Sequence, residues 1–427
     1  QNKSFQDEFE FIKAKLFGFT HNGNETFAVY NSDSDIDKYA NTQYKRRFPD
    51  AVKLGSITDV QPERDLPDHI DLLCGGFPCQ DYSVAKTSSK ATGLEGKKGV
   101  LWWEISRVIN LRKPPYVLLE NVDRLLKSPT LQRGRDYAIM LATFAELGYS
   151  VEWRVVNAAD YGYAQRRRRV FIFAWKNNTD WGKKFKKNKN PEEWLSDEGL
   201  FSKVFGTSMK EVKEVDLEPK QTTLTDFAGE KKKKPQVKKS RDPANNEKLL
   251  EISNNWQAYK LSPFKKAGIM SKGRVWSGDY DAVYDGERRL LGDILEPKVK
   301  DKWFYLGKDE IESWKYYKGA KSEERIVKAT GFKFDYKEGA LPFPDPLDRP
   351  SRTMITGEGG KSASRFKHVV KDSTKKLRRL TPIEAERLNG FPDDWTLTDT
   401  MPLNFRYFCM GNALVVPLVA EIMKGIQ

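Results

Sequence analysis

The stretch His69-Ile70-Asp71-Leu72-Leu73-Cys74-Gly75-Gly76-Phe77-Pro78-Cys79-Gln80 decides how this chain is read. Its first half is an apolar run closed by two glycines, the pattern of a buried strand that stops at a turn. Its second half is a loop that holds a thiol. In open α/β sheets, ligands bind beyond the carboxyl ends of the strands, so a group on this loop projects where chemistry is done. The glycines permit close approach, and Pro78 fixes the backbone just before the sulfur. A lone cysteine is most often a small buried hydrophobe, which suits Cys74 inside the run and Cys409. For Cys79 the loop context reverses that reading.

Working outward, Tyr116-Val117-Leu118-Leu119-Glu120-Asn121-Val122 is a second apolar strand that ends in a carboxylate. A glutamate shielded from water at such a position acquires a raised pKa and serves as an acid near neutral pH. Gln165-Arg166-Arg167-Arg168-Arg169-Val170-Phe171 leads into a third strand, Val170–Trp175. Alternation puts Arg167 and Arg169 on one face and Arg166 and Arg168 on the other. One pair suits a carboxylate or base oxygen, the other solvent or phosphate. Helices are expected over Ser4–Phe17, Leu101–Leu111, Tyr137–Leu147, Thr381–Leu388 and Val415–Met423, with a short strand at Thr26–Tyr30 and an acidic loop at Asp33–Asp37. The alternation predicts an α/β fold with mostly parallel strands.

After Trp175 the character changes. Lys183–Asn190 and Lys231–Lys239 are lysine-rich and Glu214–Asp226 lacks periodicity, so all three read as solvated loops. Trp256, Trp276, Trp303 and Trp314 still require a folded body. With 427 residues, one large domain carrying an inserted one is expected. The net charge of +14 favours a polyanionic partner. No apolar run reads as membrane-spanning, and the first residues carry no signal-peptide pattern. Three cysteines make no disulfide framework and suit a reducing cytoplasm, and three scattered histidines offer no zinc spacing.

Taken together, the three blocks resemble the cytosine-C5 DNA methyltransferase family, of the bacterial restriction–modification type. Arg378-Arg379-Leu380-Thr381-Pro382-Ile383-Glu384, continuing to Arg387 and Gly390-Phe391-Pro392, and then Gly411-Asn412, extend the resemblance in order over roughly residues 25–175 and 376–427. It implies a Rossmann-like S-adenosylmethionine-dependent methyltransferase domain with an inserted target-recognition domain. The division is 1–177 and 376–427 for the catalytic domain and 178–375 for the basic insert.

The resemblance also assigns roles. Cys79 adds to C6 of a flipped-out cytosine while Glu120 engages N3, C5 is methylated, and loss of the C5 proton expels the sulfur. Arg167 holds the cytosine O2 and favours the thiolate, Arg169 orients Glu120, Asn121 supports that geometry, and Pro78 and Gln80 position the base. For the cofactor it assigns Asp35 to the ribose, Ile36, Ser56 and Ile57 to the adenine region, and Pro78, Leu101 and Asn412 to further contacts. Ser56 stands where the family has aspartate. The product is S-adenosylhomocysteine, and no metal is used.

Double-stranded DNA is the implied partner, with a cognate restriction endonuclease, a monomer on DNA, no membrane, and a bacterial or phage-encoded protein. Lys272–Trp276 and Arg349–Arg365 are the first places to seek base readers. No Phe-x-Gly-x-Gly turn precedes Asp35, so the expectation is a chain that lacks its natural beginning or takes that strand from another chain. Two other readings stand beside this one: a tRNA cytosine-C5 methyltransferase of the same fold, and a catalytically inactive DNA-binding relative.

Overall fold

The computed structural model describes residues 19–21, 24–26, 30–31, 38–49, 52–54, 56–76, 101–129, 132–188, 190–215, 256, 261–326 and 333–426. The helix expected at Ser4–Phe17, the acidic loop Asp33–Asp37, the Lys231–Lys239 run, and Asp35, Ile36, Pro78, Cys79 and Gln80 lie outside them.

Seven strands make the central sheet: β1 (Leu72–Gly76), β2 (Tyr116–Asn121), β3 (Tyr149–Asn157), β4 (Arg168–Lys176), β5 (Thr207–Val215), β6 (Ala267–Ser271) and β7 (Arg274–Ala282), in the order β1-β2-β4-β3-β6-β7-β5. Helix α1 (Lys38–Arg47) precedes the sheet, α2 (Leu101–Arg112) joins β1 to β2, and α3 (Arg135–Glu146) leads from β2 to β3.

The expectation of mostly parallel strands is corrected. Within this sheet, among the described residues, β1 and β2 make the one parallel pairing; β4 enters antiparallel between β2 and β3, and β6, β7 and β5 continue with antiparallel pairings. The reason is local. A parallel step needs a helical crossover, which α2 supplies, whereas short returns reverse the chain. Lys272 and Gly273, both at positive φ (50° and 77°), close β6 onto β7 with two residues, as a type I′ hairpin turn requires. The single strand expected at Thr26–Tyr30 becomes two pieces: Asn24–Thr26 pairs antiparallel with Phe19–His21, and Tyr30–Asn31 pairs parallel with Val52–Lys53.

Strand alternation builds two cores, one on each face. Val117 and Leu119 of β2 and Val170, Ile172 and Ala174 of β4 meet Trp102 and Ile109 of α2 and Tyr137, Leu141 and Phe144 of α3. The intervening Leu118, Phe171, Phe173 and Trp175 face Leu200, Phe201, Leu418 and Ile422. Each such side chain taken fully from water contributes roughly 1.5–3 kcal/mol.

Part of the segment after Trp175 is woven into this body. Lys183–Asn188 belongs to a helix, Asp180–Asn188, with Phe185 buried against Trp194, so that run is no loop. The start of Glu214–Asp226 belongs to β5.

Near the C-terminus, α4 (Pro382–Leu388) begins at a capping box: Thr381 Oγ1 accepts from Glu384 N at 3.2 Å and Glu384 Oε2 from Thr381 N at 2.9 Å. Glu384 also receives both terminal nitrogens of buried Arg378 at 2.8 and 2.6 Å, which makes this block scaffolding. Leu403–Ile426 is apolar and long enough, by composition, to cross a membrane, which the sequence reading overlooked. It is two helices, α5 (Leu403–Asn412) and α6 (Val416–Ile426), broken where Ala413 turns to ψ 158°. Leu418, Ile422 and Met423 of α6 pack into the core.

Candidate active site

Parallel β1 and β2 bring their carboxyl ends to one edge of the sheet, and antiparallel β4 starts there. The register sets Gly76 beside Glu120, and Glu120 beside Phe171. The three sequence blocks therefore converge at one place, although Cys79 itself, three residues beyond Gly76, is outside the described residues.

Glu120 Oε1 takes the Nε of Arg169 at 2.8 Å, with the two side chains 21% and 16% exposed. Its other oxygen lies over the end of β1: a Cβ on Gly76 would stand 3.2 Å from Oε2. Glycine here thus keeps room for the carboxylate. Burial pushes the Glu120 pKa up, while Arg169 and then Arg167 pull it back without cancelling the rise. Its carboxyl therefore takes up a proton more readily than a solvated one does.

Arg167 is 2% exposed, and its Nη2 donates to the carbonyl of Gly411 at 2.9 Å. Gly411 allows this because its own backbone abuts another: a Cβ there would meet Thr356 N at 2.4 Å. Asn121, 1% exposed, accepts from Val122 N through its side-chain oxygen at 2.8 Å, so it fixes the chain just after Glu120. Arg168 turns elsewhere and meets Asp123 at 3.5 Å.

Cys74 lies within β1, and burial pushes its thiol up to about 12. A thiol so raised is no nucleophile at neutral pH.

Sequence reasoning missed the brace behind the arginines. Buried Gln165 donates to Asn389 Oδ1 at 3.0 Å and accepts from Met354 N at 3.0 Å, while Arg166 N donates to Ser351 O at 2.9 Å. The signal was present, since Gln165 opens the arginine run. This brace brings Ser351–Thr353 alongside the edge that holds Glu120. By contrast, the Lys272–Gly273 turn sits at the other end of the sheet, because Met270 pairs with Val151 whereas Ala267 pairs with Arg154.

Of the residues assigned to the cofactor, Ser56 and Ile57 follow the strand Val52–Lys53, and Tyr30–Asn31, parallel to it, runs toward Asp35. The carboxyl ends of these two parallel strands thus lie side by side, the arrangement that nucleotide-type ligands use. Ser56 Oγ and Thr58 Oγ1 share a hydrogen bond at 2.7 Å, and Ile57 packs on the core beneath α2. Leu101 begins α2, and Asn412 is an exposed residue at the end of α5 next to Gly411. The Ser56 hydroxyl and the Asn412 amide have the hydrogen-bonding chemistry that a nucleoside-bearing cofactor calls for, and Ile57 and Leu101 offer apolar surface. Among the described residues, no group of three His, Cys, Asp or Glu is placed to hold a metal.

A mixed sheet whose carboxyl edge gathers a glutamate, two arginines and the closing glycine of β1 has the layout of a Rossmann-like methyltransferase domain. Comparison narrows the class. The family model for C-5 cytosine-specific DNA methylases matches residues 5–427. Type II methyltransferase M.Sau3AI of Staphylococcus aureus is 42% identical over 385 residues, 90% of this chain and 84% of that protein. Type II methyltransferase M.NlaIV of Neisseria lactamica is 26% identical, over 92% of this chain and 90% of that protein. The Entamoeba histolytica methyltransferase EhMeth superposes with a TM-score of 0.54 at 14% identity, covering 99% of this chain and 95% of its own. A Spodoptera frugiperda DNMT2 mutant gives 0.52, also at 14%, covering 92% and 90%. The chain belongs to the C-5 cytosine-specific DNA methylase family, and is a DNA cytosine-C5 methyltransferase.

Proposed function

We propose that this enzyme methylates C5 of a cytosine turned out of a specific duplex DNA sequence, through a transient bond between Cys79 and C6. The pairing of Arg169 with Glu120 beneath the Gly76 end of β1 carries the reading. A carboxyl group with a raised pKa at that point donates a proton at N3 as the sulfur adds to C6. Arg167, anchored to Gly411 O, holds the base O2 and supplies positive charge that favours the thiolate. Pro78, Gln80 and Asn121 shape the loop and strand end around the ring. Release of the C5 proton to water then expels Cys79 as the thiolate, and N3 returns its proton to Glu120.

S-adenosylmethionine, when bound, supplies the electrophilic methyl group. Asp35, Ile36, Ser56, Ile57, Pro78, Leu101 and Asn412 would hold it.

Target reading belongs to the basic segment 178–375. The brace from Gln165 and Arg166 to Ser351–Met354 supports Arg349–Arg365 as the stretch that meets base edges. Flipping removes stacking and pairing worth roughly a few kcal/mol, which binding to phosphates offsets. The setting we assign is the bacterial cytoplasm, as a monomer on DNA beside a cognate endonuclease. Bisulfite sequencing of plasmid DNA treated with protein and S-adenosylmethionine tests this: protected cytosines should fall in one sequence context. Protection confined to a tRNA substrate, or found nowhere, would refute the reading.

A further inference from the structure

A cavity of about 290 Å³ opens beside the catalytic edge. Arg168, Lys266 and Arg288 line it, together with Asn157, Asp160 and Asp281. Register fixes its place. Asn157 of β3 pairs with Arg168 of β4, and Val155 N donates to Lys266 O at 2.7 Å, so the cations gather where the strand carrying Glu120 ends. Only β4 separates β2 from β3, so the cavity lies roughly 10 Å along the edge from Glu120. Arg169 holds Glu120, while the preceding residue, Arg168, enters the cavity.

Its charges are set for an anion. Lys266 Nζ donates to Tyr280 O at 3.1 Å, and Arg288 donates to Ala159 O at 3.3 Å and Tyr284 O at 3.2 Å. These uncharged carbonyls orient the cations without neutralising them, and among the described residues neither cation is paired with a carboxylate. Of the two acids, Asp281 is paired with Lys210 at 3.1 Å, whereas Asp160 accepts from uncharged Asn157 Nδ2 at 2.8 Å and keeps its charge, which leaves Lys266 and Arg288 one positive charge in excess. The ion pair of Arg168 with Asp123 is 3.5 Å long and solvent-exposed, hence readily exchanged.

We propose that this cavity binds a backbone phosphodiester of the DNA strand flanking the extruded cytosine, gripped by Arg168, Lys266 and Arg288. The inference rests on the DNA-methylating reading above. A phosphate held there fixes the duplex against the same edge that receives the base, and it adds affinity without reading sequence.

The test uses a duplex bearing the cytosine that the wild-type enzyme methylates, with Lys266→Gln, Arg288→Gln and their combination. The slope of log Kd against log salt should fall by about 0.9 for each phosphate the variant no longer neutralises. KM for DNA should rise roughly tenfold for the pair while kcat stays within twofold, with Lys266→Arg near wild type. Phosphate ethylation should show one position that blocks the wild type and no longer matters to the double variant. An unchanged slope and an unchanged ethylation pattern would overturn the proposal even though the wild type methylates DNA. A wild type that leaves DNA unmethylated would instead sink the parent reading.

Discussion

Two glutamates on one sheet, Glu120 at the end of β2 and Glu152 in the middle of β3, share a chemistry and part in their use. Burial raises the pKa of both, and an arginine close to each pulls it back. Glu152 is wholly buried and saturated: it accepts from Trp194 Nε1 at 3.1 Å, Leu200 N at 3.0 Å and Phe201 N at 3.2 Å. It caps the start of a short helix and ties the segment after Trp175 to the sheet. Glu120 keeps partial exposure and, among the described residues, one cationic partner on one oxygen. A satisfied buried carboxylate is scaffolding, whereas a half-satisfied one at a strand end is available to a substrate.

Substitutions should separate the two. Glu120→Gln removes the transferable proton and leaves the fold alone, so turnover should fall about 10²–10⁴-fold with an unchanged melting temperature. A rate within tenfold of wild type would end its role as the acid. Glu152→Ala should do the reverse. Three buried donors lose their acceptor at about 1–3 kcal/mol each, so denaturant titration should show at least roughly 3 kcal/mol of lost stability, with activity per folded molecule retained.

Arg169→Gln sharpens the comparison through pH. Arg169 holds the Glu120 pKa down, so its loss raises that pKa further. Protonated Glu120 then persists to higher pH, and the alkaline limb of kcat/KM should move upward; a downward or absent shift would contradict the pairing. Gly76→Ala is the mildest probe. Its methyl would press on Glu120 Oε2 at 3.2 Å, and we expect a several-fold slower rate with little change in stability, about 1 kcal/mol or less.

The same contrast marks what the sequence disclosed. Apolar runs ending in Gly75-Gly76 and in Glu120 read directly as β1 and β2, and the helical pattern over Thr381–Leu388 announced α4. Strand β3 went unread because Glu152 and Arg154 interrupt Tyr149–Asn157, and a strand buried on both faces shows no alternation. Strand β5 mixes lysine and glutamate at the sheet margin, so it resembles a solvated loop. The pairing of Ala267–Met270 with Val151–Arg154 joins distant stretches that local pattern cannot connect. At the site, the arginines were visible, but Gln165, Asn389 and the Gly411 carbonyl that brace them become meaningful only in three dimensions.

The central claim is a bond to one sulfur. Duplex DNA carrying 5-fluorocytosine at the methylated position, incubated with S-adenosylmethionine and the full chain, should trap a stable complex whose peptide map places the nucleotide on Cys79. An adduct on Cys74, whose buried thiol is pushed up to about 12, or no adduct on a folded and DNA-bound protein, would contradict the account.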